Sequence, residues 1–216
     1  AAFLAAAPAA RAGEAPETTQ PLGASIDLGK KGPDVAKQPW LDPDRDPDER
    51  AALVLAQLTL EEKIGLVHGA GFLNVPLTSN GGAGYVPGIA RLGIPDLNLA
   101  DSTVGVTRGA ATSRYSTLMP ATIAEASSWD PVIAYDYAAL VGRELRDQGY
   151  NVSLAGGANL AREPRNGRTF EYRGEDPLLA GKLAAAAIRG MQDQKVIGDL
   201  KHFALNDQET GRHSAN

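Results

Sequence analysis

Residues 196–216 read VIGDLKHFALNDQETGRHSAN and change character along their length. The stretch opens as a short apolar run, and it then becomes crowded with polar and charged side chains from Lys201 and His202 onward. A strand that leaves a core with such a pair at its far end is typical of a β/α barrel, whose active site lies at the carboxyl ends of parallel strands. A strand that simply ends at the surface, with its charged side chains in solvent, would have the same sequence pattern.

Shorter apolar runs precede this stretch and alternate with helical patterns. Asp130-Pro131 and Asp176-Pro177 each place an Asp cap before a Pro at the first helical position. Strands that alternate with helices of this length indicate right-handed βαβ units and a parallel sheet. We therefore predict strands at 97–100, 121–126, 152–155 and 196–203.

Two helices are predicted nearer the N-terminus. Asp46-Pro47-Asp48-Glu49 has the composition of a helix start, and Thr59 with Glu62 fits a capping box. The glycines of residues 69–95 lie in no strand-turn-helix context, so they do not indicate a phosphate-binding loop. We expect a long loop over one end of the barrel there.

The N-terminal residues show no helical or strand period. Residues 1–12 resemble the apolar part of a signal peptide with a small-x-small cleavage pattern, which predicts export to the periplasm or the medium. A disordered alanine-rich tail would have the same composition. Residues 13–45, rich in Pro, Gly, Asp and Lys, predict an extended lead-in that packs Trp40 onto the domain.

Composition excludes several classes of function. The 216 residues suffice for one sizeable domain, and a net charge of −5 without a basic tract argues against nucleic acid. There is no cysteine, hence no disulfide and no thiolate metal site. With only three histidines, we expect no metal centre, and we see no apolar run long enough to cross a membrane.

Charged residues at two places are candidates for a site. Asp101 follows a predicted strand, where a carboxylate can accept hydrogen bonds from two neighbouring sugar hydroxyls or can cap the following turn. Residues 162–176 contain many positive and negative side chains, and such a mixture usually forms a network of salt bridges at the surface. That mixture consists of Arg162, Arg165, Arg168, Glu171, Arg173, Glu175 and Asp176.

Three segments in order resemble glycoside hydrolase family 3, in its β-glucosidase branch. They are LADSTVG (99–105), PRNGRTFE (164–171) and KHFALNDQE (201–209), and LTLEEKIG (58–65) is similar to the first helix of the family. Two departures are visible: the family has Asp-Gly-Pro-x-Gly where this chain has Asp101-Ser102-Thr103-Val104-Gly105, and Thr169 stands where Asn is common. The resemblance covers residues 45–216.

This resemblance implies a fold. We expect an α/β chain that forms about the first half of a (β/α)8 TIM-like barrel, with an extended lead-in before it. Residues 46–216 would be the N-terminal part of the barrel domain, with the rest of the barrel and a following α/β domain supplied by the remainder of the same enzyme.

The resemblance also implies roles for individual residues. Asp101, Arg168, Lys201 and His202 match family positions that hold the terminal sugar. The supports around them are expected to be Arg165, Glu171, Asn206 and Glu209. Because neighbours on a regular strand point to opposite faces, we expect irregular backbone at residues 201–203, which the family often achieves with a non-proline cis peptide bond.

The implied activity is that of a retaining exo-β-glucosidase acting on β-glucosides or β-linked gluco-oligosaccharides, with no cofactor. Retaining hydrolysis needs a carboxylate nucleophile and a carboxylic acid. In the family both come from later in the chain, so we expect no catalytic residue before Asn216 and no activity from the fragment alone.

Other functions fit parts of the same pattern. A β-xylosidase of the family would share these motifs, because none of them defines the substituent at the sugar C6. A β-N-acetylglucosaminidase fits less well, since Ala204-Leu205-Asn206-Asp207 replaces the Pro-Gly-His-Gly of that branch. A non-catalytic sugar-binding half-barrel is the alternative from another class. An unrelated α/β domain would leave the three ordered motifs unexplained.

Overall fold

The computed structural model describes residues 36–70, 82–107 and 115–214. The predicted signal segment 1–12 and residues 13–35 of the lead-in lie outside these ranges. The helices are α1 (Pro47–Gln57), α2 (Leu60–His68), α3 (Thr122–Ala126), α4 (Pro131–Asp147) and α5 (Pro177–Asp193). The strands are β1 (Gly84–Val86), β2 (Leu97–Asp101), β3 (Val152–Leu154) and β4 (Ile197–Gly198). Single 3-10 turns lie at Pro39–Leu41, Ala90–Leu92 and Thr169–Glu171.

The four strands of the described residues form one sheet in the order β1-β2-β3-β4. Strands β2, β3 and β4 are parallel, with α4 and α5 as the crossover helices, whereas β1 pairs antiparallel with β2. The main apolar cluster includes Ala100, Val141, Leu145 and Val196, and it joins the sheet to both crossover helices. The predicted α/β class with parallel βαβ units is confirmed.

The helices α1, α2, α4 and α5 start where the sequence predicts. Asp46 accepts from the backbone of Asp48 and Glu49, and Thr59 and Glu62 form the reciprocal capping box. Asp130 and Asp176 cap α4 and α5 through their carboxylates, each with Pro at the first position. These helix starts can be predicted from the sequence because each capping side chain bonds to backbone groups within one turn of it.

Removing the cap of α5 should weaken the fold. In Asp176→Ala the backbone N–H groups of Leu178 and Leu179 lose their acceptor, so we expect the free energy of unfolding to fall by about 1 kcal/mol. Urea unfolding of the chain measures this. Glu175→Ala, one residue earlier and also exposed, is the control; an equal loss in both variants would contradict the capping role.

The predicted strand 121–126 is wrong, because this segment forms α3. Its buried residues Thr122, Glu125 and Ala126 recur at helical spacing. A short apolar run does not distinguish a strand from a buried helix by its period alone. The surrounding Ala and Glu residues favour helix.

The glycine-rich segment contains a strand that was predicted as loop. β1 pairs Gly84, Tyr85 and Val86 with Leu99, Asn98 and Leu97, and Tyr85 is buried. At Gly82 a Cβ would lie 2.1 Å from the carbonyl oxygen of Leu99, so a glycine permits this close approach. A strand of three residues that begins with glycine is too short to show an alternation of apolar and polar side chains.

β4 is shorter than predicted, since regular pairing ends at Gly198 instead of continuing to residue 203. Asp199 still donates to Ser153 at 3.0 Å, and Ala158 donates to the carbonyl of Lys201 at 2.8 Å. The backbone of Asp199 therefore still pairs with β3, whereas that of Lys201 pairs with the turn after β3.

The lead-in is anchored by Trp40, as predicted. The indole is buried and its Nε1 donates to the carbonyl of Leu92 at 2.8 Å, while Arg50 donates to the carbonyl of Trp40 at 2.7 Å. Within the described ranges, every helix is too short or too polar to traverse a bilayer.

Candidate functional site

Asp101 and Lys201 meet at the carboxyl end of the parallel sheet. Lys201 Nζ lies 2.9 Å from Asp101 Oδ1. Because β3 separates β2 from β4, this ion pair spans the end of the central parallel strand. The Asp101 side chain is 52% exposed and the Lys201 side chain 21%, so the carboxylate remains open to solvent and to a ligand.

Arg168 lies on the long loop after β3 and is held by Glu171. The guanidinium donates from Nε at 2.5 Å and from Nη2 at 2.7 Å to the two carboxylate oxygens. This fork-to-fork contact is mostly buried, and the hydrogen bond to Glu171 raises the pKa of Arg168. A paired contact of this kind fixes the plane of the guanidinium as well as its position.

His202 contacts this arginine. His202 Nε2 lies 3.3 Å from Arg168 Nη1, and His202 Nδ1 lies 2.9 Å from the hydroxyl of Tyr172. The Tyr172 and His202 rings meet edge to face, with centroids 6.1 Å apart. The Lys201–His202 peptide bond is cis, which confirms the expected irregular backbone.

These contacts determine the protonation of His202. Burial lowers the pKa of His202, and the positive charges of Arg168 and Lys201 lower it further, while Glu171 opposes them and Arg212 adds a smaller effect. An arginine N–H can only donate, so the neutral ring accepts at Nε2 and carries its hydrogen at Nδ1. A neutral imidazole can therefore stand between two cations without repulsion.

The stability of the fold should decrease as the pH falls below the ordinary histidine value. Since the folded pKa of His202 is lowered, the unfolded chain binds the proton more readily. Between about 6.5 and the lower folded pKa, each drop in pH favours unfolding. Urea unfolding at several pH values should show a weaker pH dependence for His202→Gln than for the natural chain.

His213→Gln is the matched control, because His213 is an exposed histidine of the same segment. Equal pH dependence of the natural chain and His202→Gln would contradict the role of His202. If His213→Gln weakened the pH dependence of stability as much as His202→Gln does, the role of His202 would be contradicted as well.

Asparagines connect the loops after β3 and β4. Buried Asn159 accepts from the backbone of Asn206 at 3.1 Å and donates to Asp207 at 2.9 Å. Asn166 donates to the carbonyl of Asn206 at 2.8 Å. The side chain of Asn206 reaches the hydroxyl of Tyr172 and lies 3.2 Å from His202 Nδ1.

The structure brings Asp101, Arg168, Lys201 and His202 together at one end of the sheet. Of the predicted supports, Glu171 contacts Arg168 and Asn206 contacts His202. Tyr172, Asn159 and Asp207 also take part in these contacts and are not predicted from the sequence. Only the adjacency of Tyr172 to Glu171 in the motif could have indicated one of them.

Two predicted supports form their ion pairs with residues other than these four. Arg165 is 89% exposed and places its guanidinium on Glu163, at 2.9 Å to each oxygen, lowering the pKa of Glu163 to about 2. Glu209 pairs with Arg212 at 3.0 Å. Each forms an ion pair with a residue two or three positions away in sequence, and not with the four proposed sugar contacts.

The arrangement suits recognition of a polyhydroxylated ligand. It offers an open carboxylate as acceptor, an ammonium and a guanidinium as donors, and a neutral imidazole beside them. Charge-assisted hydrogen bonds of this kind contribute roughly 1.5–3 kcal/mol each when buried. Among the residues that the structure describes, no cluster of His, Asp and Glu could hold a metal ion.

Comparison with known proteins gives consistent matches. Residues 88–215 match the N-terminal domain of glycosyl hydrolase family 3. A probable beta-glucosidase A of Aspergillus terreus is 40% identical over 162 residues, covering 74% of this chain and 18% of that protein. A beta-glucosidase of Bacteroides ovatus is 37% identical over 182 residues, covering 80% and 23%.

A solved structure is similar in fold. The beta-glucosidase DesR of Streptomyces venezuelae, determined in complex with D-glucose, superposes with a TM-score of 0.70 at 38% identity. The match covers 77% of this chain and 20% of that one. The chain thus spans about a fifth of the length of the relatives it matches.

Proposed function

The chain belongs to glycosyl hydrolase family 3, and on this premise we propose that the full-length protein is a retaining exo-β-glucosidase. Its substrates would be terminal non-reducing β-D-glucosyl residues of β-glucosides and gluco-oligosaccharides. The observation that carries the proposal is the Asp101–Lys201 pair beside the Arg168–His202 contact. The beta-glucosidase names of the similar proteins support the same substrate class.

In this mechanism the four side chains bind and orient the sugar. The open carboxylate of Asp101 accepts from two adjacent hydroxyls, and Lys201, which holds Asp101 by an ion pair, donates to one of them. Arg168, fixed by Glu171, donates to a further hydroxyl, and His202 Nε2 accepts from a sugar hydroxyl in place of Arg168 when the sugar is bound. Contacts that strengthen as the ring flattens towards an oxocarbenium-like transition state lower the barrier.

The proposal assigns the nucleophile and the acid to the remainder of the same protein, which would complete the barrel and add the following α/β domain. It assigns no cofactor. We propose in addition, on the composition of residues 1–12 alone, that the protein is exported to the periplasm or the medium.

Activity of the full-length protein on matched aryl glycosides tests the proposal. We expect hydrolysis of the aryl β-glucoside, with the aryl α-glucoside as the inactive control. NMR of the first product should show β-glucose, because retention preserves the anomeric configuration. Faster hydrolysis of the aryl β-xyloside would instead make the protein a β-xylosidase, and sugar binding without turnover on any glycoside would make it a binding protein.

Residues 13–216 alone should not hydrolyse glycosides. A closed barrel of this type has eight parallel strands, whereas the described residues contain three parallel strands and one antiparallel one. The same chromogenic assay, run on this fragment and on the full-length protein, measures the difference. Turnover by the fragment at the rate of an ordinary glycosidase would place the catalytic carboxylates within this chain.

A further inference from the structure

A charged pair lies in the interior, away from the four proposed sugar contacts. Arg173 Nε lies 3.2 Å from Glu125 Oε2, and the two side chains are 5% and 1% exposed. Burial raises the pKa of Glu125, and the charge of Arg173 opposes that shift. Neither carboxylate oxygen of Glu125 has a hydrogen-bond partner of good geometry among the described residues.

Fold stability does not account for this pair. Taking two charges out of water costs several kcal/mol per ion, and apolar residues of similar volume are often as stable or more stable in such places. A buried pair that forms despite this cost suggests a role in positioning. The contacts made by the other end of the guanidinium indicate what is positioned.

Arg173 holds the turn that follows β3. Its Nη1 donates to the carbonyl oxygen of Gly156 at 2.9 Å and lies 3.4 Å from that of Gly157. Gly157 has a φ of 54°, and a Cβ there would lie 2.5 Å from the carbonyl oxygen of Glu171. The turn is therefore in contact with the same segment that carries Arg173.

This turn also contacts the backbone of Lys201. A Cβ on Gly156 would lie 2.2 Å from the backbone nitrogen of Lys201, and Ala158 N–H donates to the Lys201 carbonyl at 2.8 Å. Arg173 is next to Tyr172, which contacts His202, and two residues from Glu171, which fixes Arg168. The guanidinium of Arg173 thus connects the loop that carries Arg168 with the segment that carries Lys201 and His202.

We propose that Arg173, oriented by Glu125 on α3, is a positioning residue that fixes the loop bearing Arg168 relative to the segment Lys201–His202. This inference rests on the proposed glycosidase function. Arg173 has no contact with the sugar and acts through the carbonyls of Gly156 and Gly157. Loss of this tether lets the two halves of the site shift against each other, and a displacement of about 1 Å can cost 10²-fold in rate.

Three variants of the full-length protein separate positioning from folding. Arg173→Lys keeps a charge but cannot reach Glu125 and the two carbonyls together. The double variant Glu125→Met with Arg173→Met removes the charges and the tether at similar volume. Glu125→Gln keeps the shape of the side chain beside Arg173 and leaves the bond from Arg173 Nη1 to Gly156 in place, so the tether is retained.

The first readout is kcat and KM on the aryl β-glucoside, per folded molecule as counted from the unfolding amplitude. We expect kcat/KM to fall about 10- to 100-fold in Arg173→Lys and in the double variant, and less than about threefold in Glu125→Gln. A purely structural pair would change the folded fraction but not these values. A folded double variant with kcat/KM within threefold of the natural protein would overturn the proposal; if it does not fold, Arg173→Lys decides by the same threshold.

Hydrogen exchange supplies a second readout that needs no substrate. The Ala158 amide, which bonds to Lys201, should exchange faster in Arg173→Lys, while the Asn151 amide, which bonds to Asn98, should not change. Unchanged exchange at Ala158 would overturn the tether. A natural protein without glycosidase activity would overturn the proposed function instead, and this exchange would still decide the tether.

Discussion

Asp101→Ala is expected to lower kcat/KM of the full-length protein by about 10²- to 10⁴-fold on an aryl β-glucoside. The carboxylate is half exposed, and within the described residues it is held by Lys201 Nζ. It is therefore free to accept from two sugar hydroxyls, at roughly 1.5–3 kcal/mol each. Because each 1.4 kcal/mol is a factor of ten, the two bonds give the expected range.

Folding of Asp101→Ala should be nearly unchanged, since Ala100, which is fully buried beside it, supplies the strand's contact with the core. Asp136→Ala removes an exposed carboxylate from α4 and is the control for charge. The measurement pairs steady-state kinetics with thermal unfolding. Normal activity per folded molecule together with loss of the folded state would make Asp101 structural, contrary to its proposed role.

Arg168→Lys is expected to lower kcat/KM by about 10²-fold. Lysine keeps the positive charge but has no planar fork, so it cannot bind both oxygens of Glu171 and contact His202 as well. His202 then loses the donor at Nε2 and with it one constraint on the ring. Steady-state kinetics of the full-length protein measure the effect, and removing the charge altogether is avoided because Glu171 would be left buried without a partner.

Arg165→Lys offers a closely matched control. Arg165 makes the same forked contact with a glutamate in the same loop, but it is 89% exposed. Its replacement should change kcat/KM less than about twofold, since exposed ion pairs contribute little. If the two lysine variants lost activity equally, the difference in burial would not be what distinguishes these arginines.

Some features of the fold follow from short stretches of sequence. Asp130 and Asp176 cap the two crossover helices within one turn, and the alternation of helices and strands predicts the parallel order β2-β3-β4. Prolines and caps act through the backbone next to them, so their effect does not depend on distant residues. The motif around Lys201 and His202 likewise predicts irregular backbone at the position where the cis bond lies.

Other features depend on contacts between distant residues. Segment 121–126 has an apolar pattern that fits strand or helix, and its contacts with α4, α5 and the turn at Thr169–Glu171 accompany the helix. β1 forms by pairing antiparallel with the edge of β2, which is distant in sequence from the local signals of β1. In both cases local propensity is too weak to determine the outcome, and packing decides it.

The sequence by itself determined the starts of α1, α2, α4 and α5 and the α/β class, because these depend on local caps and on periodicity. The four candidate sugar contacts stay a prediction from the resemblance of three ordered motifs. Only the tertiary structure decided the surroundings of the two arginines, since Arg168 is mostly buried against Glu171 while Arg165 is exposed against Glu163. It alone joined Asp101 to Lys201 across β3, and Glu125 to Arg173. Ion pairs between residues far apart in sequence form where strand order and burial place them, and no short stretch of sequence encodes that placement.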